Sequence, residues 1–579
     1  MTTVSLTTTS VHALARLYPY DVEASDELVE SIQFIEATYD AETIVRAGYG
    51  AGVVSALVPL PLLLYDVQVL FVAVFVLTGS LAAVHAVHSW PHLAAAFRRT
   101  EALGETPNLI GRAVLRMQIQ PSLENAVRFA ARTGDGPLAR SLGGHFNRSK
   151  GTPHAGLLSF AEEWAECFPA LRRSSTLLAT AQDAPEGERG RTLDRSLSAI
   201  LDGTRSQMAE FTASIRAPTT MLFAFGILLP LALIALVPAA PLAGVNLNIW
   251  MFVLIYNIVL PFSLIGAALW LLVRRPVAFP PPNIDRDHPE LPNRLWLRSG
   301  WGLVAGGIVY LTVASFGPSY LSTVVAFGVG LGVALLSVYS PILTLRHYVR
   351  DVEEHLTDAL YIVGRQVAEG ESVESAIELA ADRVPAETGE VFAHAAGVQR
   401  RLHTSVEEAF LGTYGALRDV PSQRAHSMAA LLAIAGDEGK PAGRAIVSMA
   451  DHLEELEEVE AETKRALVQV TSTLDNTAAY FGPMVGGATV GMAGMLTEES
   501  FSMTDGFEDA TTLAVDGLGV VVAVYLILLA FIMTPLSCAL RHGMDRTLFG
   551  YHIGRTLVSS MILFTLTVAL IDVAIVDVG

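Results

Sequence analysis

Lysine is nearly missing from this chain of 579 residues: Lys150, Lys440 and Lys464 stand against 35 arginines. Cysteine is scarcer still, with only Cys167 and Cys538, which excludes a disulfide scaffold. The first 25 residues have no basic segment followed by an apolar run, so no secretory signal peptide is expected there. No glycine-rich loop ends in Gly-Lys-Ser or Gly-Lys-Thr. The nearest approach, Gly436-Asp437-Glu438-Gly439-Lys440-Pro441, is short and puts proline where the magnesium-binding hydroxyl belongs. A chain without that loop is not expected to power itself. The long apolar runs are almost free of ionisable residues, apart from Asp66, Asp516 and Asp572 near their ends. Ion-coupled carriers place such groups at mid-membrane, so this absence argues against a transporter.

What is abundant is apolar sequence: 51% of residues are hydrophobic and the mean hydropathy is +0.44. About 20 apolar residues in a helix cross a bilayer core. Nine stretches suit that length, at 47–64, 67–88, 218–238, 249–273, 300–316, 321–343, 478–497, 513–537 and 556–576. Threaded alternately, they divide the connections into two sets. Residues 1–46, 89–217, 274–299, 344–477 and 538–555 hold 2, 16, 5, 12 and 3 Lys and Arg, which is all 38. The other set holds none. Basic loops are retained in the cytoplasm. The expectation is a multi-pass plasma-membrane protein with its N-terminus cytoplasmic and its C-terminus outside. The region 300–343 leaves open two full spans or one span with a re-entrant segment.

The expected fold is all-α, polytopic, with about nine transmembrane helices and two related cytoplasmic helical-bundle domains. A cytoplasmic tail (1–46) and a transmembrane hairpin (47–88) precede the first helical domain (89–217). A second hairpin (218–273), a Pro-rich loop (274–299) and a third hairpin (300–343) lead to the second domain (344–477). Three spans close the chain (478–579), with an acidic outer loop at 498–512. The net charge of -20 with so little lysine suits the salt-rich cytoplasm of a halophilic archaeon, and it argues against nucleic acid as a partner.

The two inserts resemble each other. Pro121-Ser122-Leu123-Glu124-Asn125-Ala126-Val127 begins a helix in the first, and Glu371-Ser372-Val373-Glu374-Ser375-Ala376-Ile377 begins one in the second. Ser122 and Ser372 are N-cap candidates, each with a glutamate in the first turn, where negative charge suits the helix dipole. Leu177-Leu178-Ala179-Thr180-Ala181 matches Leu431-Leu432-Ala433-Ile434-Ala435 further on. Two matches in one order, at equivalent topological places, point to a duplication. Each insert is expected to end in a long helix running into the next span.

These helix starts, the paired inserts and Tyr480-Phe481-Gly482-Pro483-Met484-Val485-Gly486-Gly487 after the second insert together resemble the type II secretion F-domain family. Leu17-Tyr18-Pro19-Tyr20-Asp21-Val22 and Phe279-Pro280-Pro281-Pro282 are similar to its archaeal branch. The resemblance implies a non-enzymatic membrane platform of the archaellum machinery, without cofactor, catalytic residues or bound metal. Its implied partners are a cytoplasmic hexameric motor ATPase, pilin-like filament subunits, membrane lipid and a second copy of the chain. The alternatives are the platform of an archaeal adhesion pilus or type II-like secretion system and, from another class, a membrane transporter.

Three sets of residues are candidates for that work. Arg172, Arg173, Arg189, Arg191 and Arg195 cluster in the first insert, which has 16 basic and 13 acidic residues against 12 and 24 in the second. They suit either headgroup contact or docking to an acidic motor subunit. Glu454, Glu455, Glu457 and Glu458 form either a solvated face or the complement of a basic motor surface. Pro230, Pro261 and Pro483 lie inside spans and each is expected to kink its helix, and Gly482 and Pro483 are the hinge candidates. His85, His88 and His92 share a spacing that could offer metal ligands, but they read as interfacial histidines, and Pro91 is expected to break the helix before His92.

Overall fold

The computed structural model of the protein describes residues 2–61, 69–134, 136–149, 156–236, 249–276, 284, 288–289, 291–292, 294–438, 440–501 and 508–576. Every regular element among them is helical. The N-terminal segment is folded rather than an open tail. α1 (Thr2–Ala15) lies on α3 (Ala41–Leu57), and α2 (Asp26–Phe34), capped by Ser25 Oγ, buries Leu28 and Ile32 against Ile44. α3 pairs antiparallel with α4 (Val69–Gly104), Gly48 and Gly52 giving room for His88 and Val84. Contrary to expectation, α4 runs unbroken through Pro91.

Six helices follow: α5 (Thr106–Ile119), α6 (Leu123–Thr133), α7 (Gly136–Arg148), α8 (Leu157–Trp164), α9 (Pro169–Ala181) and the 38-residue α10 (Glu186–Phe223). A π-helical turn, Ala224–Leu228, continues α10 into α11 (Leu229–Leu236). Next come α12 (Ile249–Leu254), a second π turn at Ile255–Val259 and α13 (Leu260–Val273). The chain then repeats the plan. α14 (Gly300–Phe316) and α15 (Ser322–Glu353) make an antiparallel pair, zipped where Gly302 and Gly306 meet Gly330. The turn between them is tight, so 300–343 holds two helices. α16 (Leu356–Glu369), α17 (Val373–Arg383), α18 (Ala386–Leu402), α19 (Val406–Leu411), α20 (Gln423–Glu438) and the 37-residue α21 (Lys440–Asn476) form the second domain. A π turn at Thr477–Phe481 leads into α22 (Gly482–Phe501), followed by α23 (Glu508–His542) and α24 (Arg546–Val576).

The likeness between the inserts extends to their flanks. α5 and α16 have 14 residues each, and α6 and α17 have 11 each. Both expected caps form, Ser122 Oγ accepting from the Asn125 amide at 3.4 Å and Ser372 Oγ from the Ser375 amide at 3.2 Å. Pro91 of α4 and Pro341 of α15 occupy equivalent places, as do Pro230 and Pro483, each two residues beyond a π turn. The helix ends differ: α16 stops at Gly370, whose φ of +109° favours glycine, whereas α5 stops at an extended Gln120.

Among the described residues, seven helical segments are long and apolar enough to cross a membrane: Val69–Ile119, Gly187–Ile234, Ile249–Val273, Leu295–Phe316, Ser319–Glu369, Asp516–His542 and Arg546–Asp572. The expected spans at 47–64 and 478–497 are not among them. α3 has 17 residues and ends at Leu57, and 62–64 of its stretch lie outside the described residues. α22 is diluted by glycine and threonine, yet it packs against α11, α23 and α24. The expected Pro-rich motif 279–282 and Asp66 lie outside the described residues. The acidic loop 498–512 is shorter than expected, since α22 reaches Phe501 and α23 starts at Glu508.

Candidate functional site

The long helices α10 and α21 bring the candidate residues into one frame. They run side by side and parallel: Asp194 faces His452 at 3.7 Å, and ten residues further along α21 Glu462 meets Arg205 at 3.2 Å. α21 also packs on α5, where Leu115 joins Leu431 and Ala445 in a small apolar contact and Arg112 reaches Ser427 at 2.6 Å. The two helical domains therefore touch through α5, α10, α20 and α21.

The five arginines lie on α9 and α10, which are antiparallel, with Ser174 and Ser196 in contact at 2.9 Å. That pairing puts Arg173 and Arg195, each one residue before the contacting serine, on the same exposed side of the pair. Arg172 is held by Glu162 at 2.6 Å. Arg189 folds back onto the Ala184 carbonyl in the α9–α10 turn, and Arg191 is exposed. The structure thus puts two of the five on one side and folds one back. The glutamates divide as well. Glu454 and Glu458 are exposed, Glu455 is half-buried, and Glu457 faces Arg424 of α20. Arg424 pairs with Glu460 and also sees Glu353, whose carboxylate accepts from Ser422 Oγ at 2.5 Å. Burial works against the Arg424 charge, but Glu460, Glu353 and Glu457 outweigh it and hold its pKa above the ordinary value. Burial, with the neighbouring carboxylates, raises the Glu457 pKa despite Arg424.

The hinge candidates Gly482 and Pro483 follow the π turn Thr477–Phe481 directly. The helix does not break there. A π turn widens the backbone ladder by one residue and so accommodates a proline that lacks an N–H. Pro230 and Pro261 sit in the same relation to their own π turns. At Pro230 the carbonyl four residues back, Gly226, accepts from the buried Tyr525 hydroxyl, and the Pro230 carbonyl accepts from Tyr256 at 2.7 Å. The two tyrosine rings meet edge to face at 5.8 Å. Among the described residues, no side chain donates to Ala479, the equivalent carbonyl before Pro483.

A belt of charge at one end of the helix bundle was not foreseen from the sequence. Arg275 reaches the Ala539 and Arg541 carbonyls at the end of α23, and burial brings its pKa down to about 10. Thr100 of α4 donates to the Arg275 carbonyl at 3.1 Å. Arg541 binds Asp475 and Thr471 of α21, both at 2.6 Å. Arg346 of α15 and Asp545, both buried, pair at 2.6 Å, and Asp545 also caps α24 through the Thr547 and Leu548 amides. Each residue lies near a span end, where charge is ordinary, and partners such as Arg346 and Asp545 are 199 residues apart in sequence. Only the bare positions were visible.

The histidines of α4 face different elements. His88 contacts the Val45 carbonyl and His92 contacts Ser31 Oγ, both at 3.0 Å. No group of three or more possible metal ligands occurs among the described residues. Ser159, His145 and Glu163 line up at 3.0 and 2.6 Å, but Ser159 Oγ donates to the Gly156 carbonyl, so the arrangement ties α7 to α8. Cys167 and Cys538 are both free thiols. Gly436 to Glu438 end α20 and Lys440 opens α21, with Gly439 outside the described residues. Compared with family models, curated proteins and solved structures, the chain shows no match.

Proposed function

We propose that this chain is the membrane platform of an archaellum machine, coupling a cytoplasmic motor ATPase to assembly and rotation of a filament of pilin-like subunits. In this reading all nine apolar stretches cross the membrane, and both helical domains face the cytoplasm with every Lys and Arg. The observation that carries the reading is the pair of parallel output helices. α10 and α21 touch along their length, and each continues through a π turn into an apolar helix. A helix is stiff along its axis at 1.5 Å per residue, so displacement of either domain reaches the bilayer. The exposed Arg173, Arg191 and Arg195 and the exposed Glu454 and Glu458 offer the motor surfaces of opposite charge.

The unsupported π turn at Gly482-Pro483 is the hinge in this scheme. Pro483→Ala is expected to impair filament assembly at unchanged protein level, and wild-type filaments on the mutant would remove the hinge. A deletion strain tests the whole reading. Loss of swimming with surface adhesion intact is the expected result. Loss of adhesion alone would transfer the platform to an adhesion pilus, and retention of both would reject it. Cysteine labelling from outside intact cells that reached residues near 130 or 400 would overturn the orientation.

A further inference from the structure

The segment after α1 carries aromatic rings that stack on the first helical hairpin. Tyr20 meets Tyr18 with ring centres 5.2 Å apart, Tyr18 meets Tyr49 of α3 at 4.8 Å, and Tyr49 meets His88 of α4 edge to face at 5.3 Å. The backbone is held close as well, since Gly50 leaves room for the Leu14 carbonyl at the end of α1. These contacts fix the depth of residues 17–20. His88 closes the apolar stretch 67–88, which lies in a segment long and apolar enough to cross a membrane. Tyr49 stands at the start of the apolar stretch of α3. The rings therefore lie where apolar helix gives way to polar chain, the level of lipid headgroups.

At that level the molecule presents large side chains outward. Leu17 is 51% exposed, Tyr20 67% and Trp90 51%. Tyr49 begins a stripe along α3 that continues one turn apart through Val53 and Leu57, all three exposed. Such a stripe suits acyl chains, and rings with an apolar body and a polar tip suit the layer above them. Continuity with that stripe selects lipid as the partner rather than a soluble protein. We propose that Leu17, Tyr18 and Tyr20 seat the N-terminal unit in the lipid headgroup layer. The other end of the unit grips the first helical domain. Phe34 lies 5.3 Å from the Arg99 guanidinium and 6.1 Å from the Trp164 ring of α8, and Glu36 approaches Arg98 and Arg140 at 3.9 and 3.7 Å. Seated at one end and gripping at the other, the unit sets the height of the first domain over the bilayer.

The test places the full-length protein, with Cys167→Ser and a nitroxide on Leu17→Cys, in phosphatidylglycerol vesicles; Cys538 is buried and stays. Collisions of the nitroxide with a water-soluble nickel chelate are measured by electron paramagnetic resonance. A label on Glu374→Cys, exposed on α17, reports the aqueous phase. Position 17 is expected to collide with nickel about fivefold less than position 374. Adding Tyr18→Ala and Tyr20→Ala together should remove that shielding. Equal nickel collisions at both positions would overturn the seat, as would shielding that survives the loss of both tyrosines. Spin–spin broadening at position 17 that disappears on dilution with unlabelled protein would overturn it too, by placing a second copy over Leu17. Neither motor nor filament enters the measurement, so its failure leaves the platform reading untouched.

Discussion

The two helical domains share a plan and differ in how they are fixed to the membrane bundle. In the first, the apolar core runs without interruption from Ala102 through Phe160, Leu193 and Ile215 into bundle residues such as Leu231 and Tyr525. In the second, residues from Val352 to Ala450 close a core of their own. α15 and α21 span the gap: Val325 and Val329 of α15 lie in the bundle core and Val352 in the second, while Ile446 of α21 lies in the second core and Leu467 and Leu474 in the bundle. The long helices also choose different neighbours: α10 packs chiefly on α9, and α21 on α16. Cores interdigitate at near-crystalline density, so a domain continuous with the bundle moves with it. A domain joined through two helices and a few ion pairs can move against it. Of two domains with like helix plans, one is anchored and the other jointed.

The widest break in that comparison is at Arg346. Its counterpart in the first repeat, counted from Pro91 and Pro341, is Ala96, so the buried ion pair belongs to the second repeat alone. Arg346→Ala leaves Asp545 buried and unpaired, and is expected to lower stability by about 3–5 kcal/mol in denaturant unfolding of the purified protein. Ala96→Val, by contrast, should stay near wild type. Tyr525→Phe probes the anchored side. Gly226 loses its hydroxyl donor, at about 1.5 kcal/mol in the same assay. A loss no larger than that of an exposed tyrosine such as Tyr414→Phe would mean the first π turn is no better held than the second. Ser122→Ala and Ser372→Ala sharpen what the copies share: each removes one cap and should cost about 1 kcal/mol, equally in both domains. The smallest effect is at Glu457. Its raised pKa means that its contribution to stability is full below the ordinary carboxylate value of about 4.3 and is lost as pH rises through the raised one. Glu457→Gln should therefore raise Tm at pH 7.5 and leave it nearly unchanged at pH 4.5; an equal shift at both would show that this carboxylate titrates normally.

Much of the helical plan was legible because it is written locally. Ser122 and Ser372 announce their helices through a cap and an acidic first turn, and the continuation of α21 toward Tyr480 follows from its uninterrupted periodicity. Proline misled at one place only, and elsewhere it left the local backbone unread. Pro91 lies within an intact α4, and Pro230, Pro261 and Pro483 each follow a π turn that no residue pattern marks. The candidate charges were visible as clusters, but their division was not. Glu457 and Glu458 are adjacent in sequence, yet one faces Arg424 and the other solvent, because 100° of helix rotation separates them.

The sequence by itself determined an all-helical chain, its long apolar segments, the charge asymmetry between their connections and the likeness of two helix starts, since each depends on composition or on spacing within a few turns. The tertiary structure alone decided that α10 and α21 run together, that Tyr525 supports the turn before Pro230, that Arg346 finds Asp545, and that one domain shares the bundle's core while its twin does not. Those are contacts between residues far apart along the chain, and which distant surfaces meet is fixed by packing the whole molecule rather than by any segment of it.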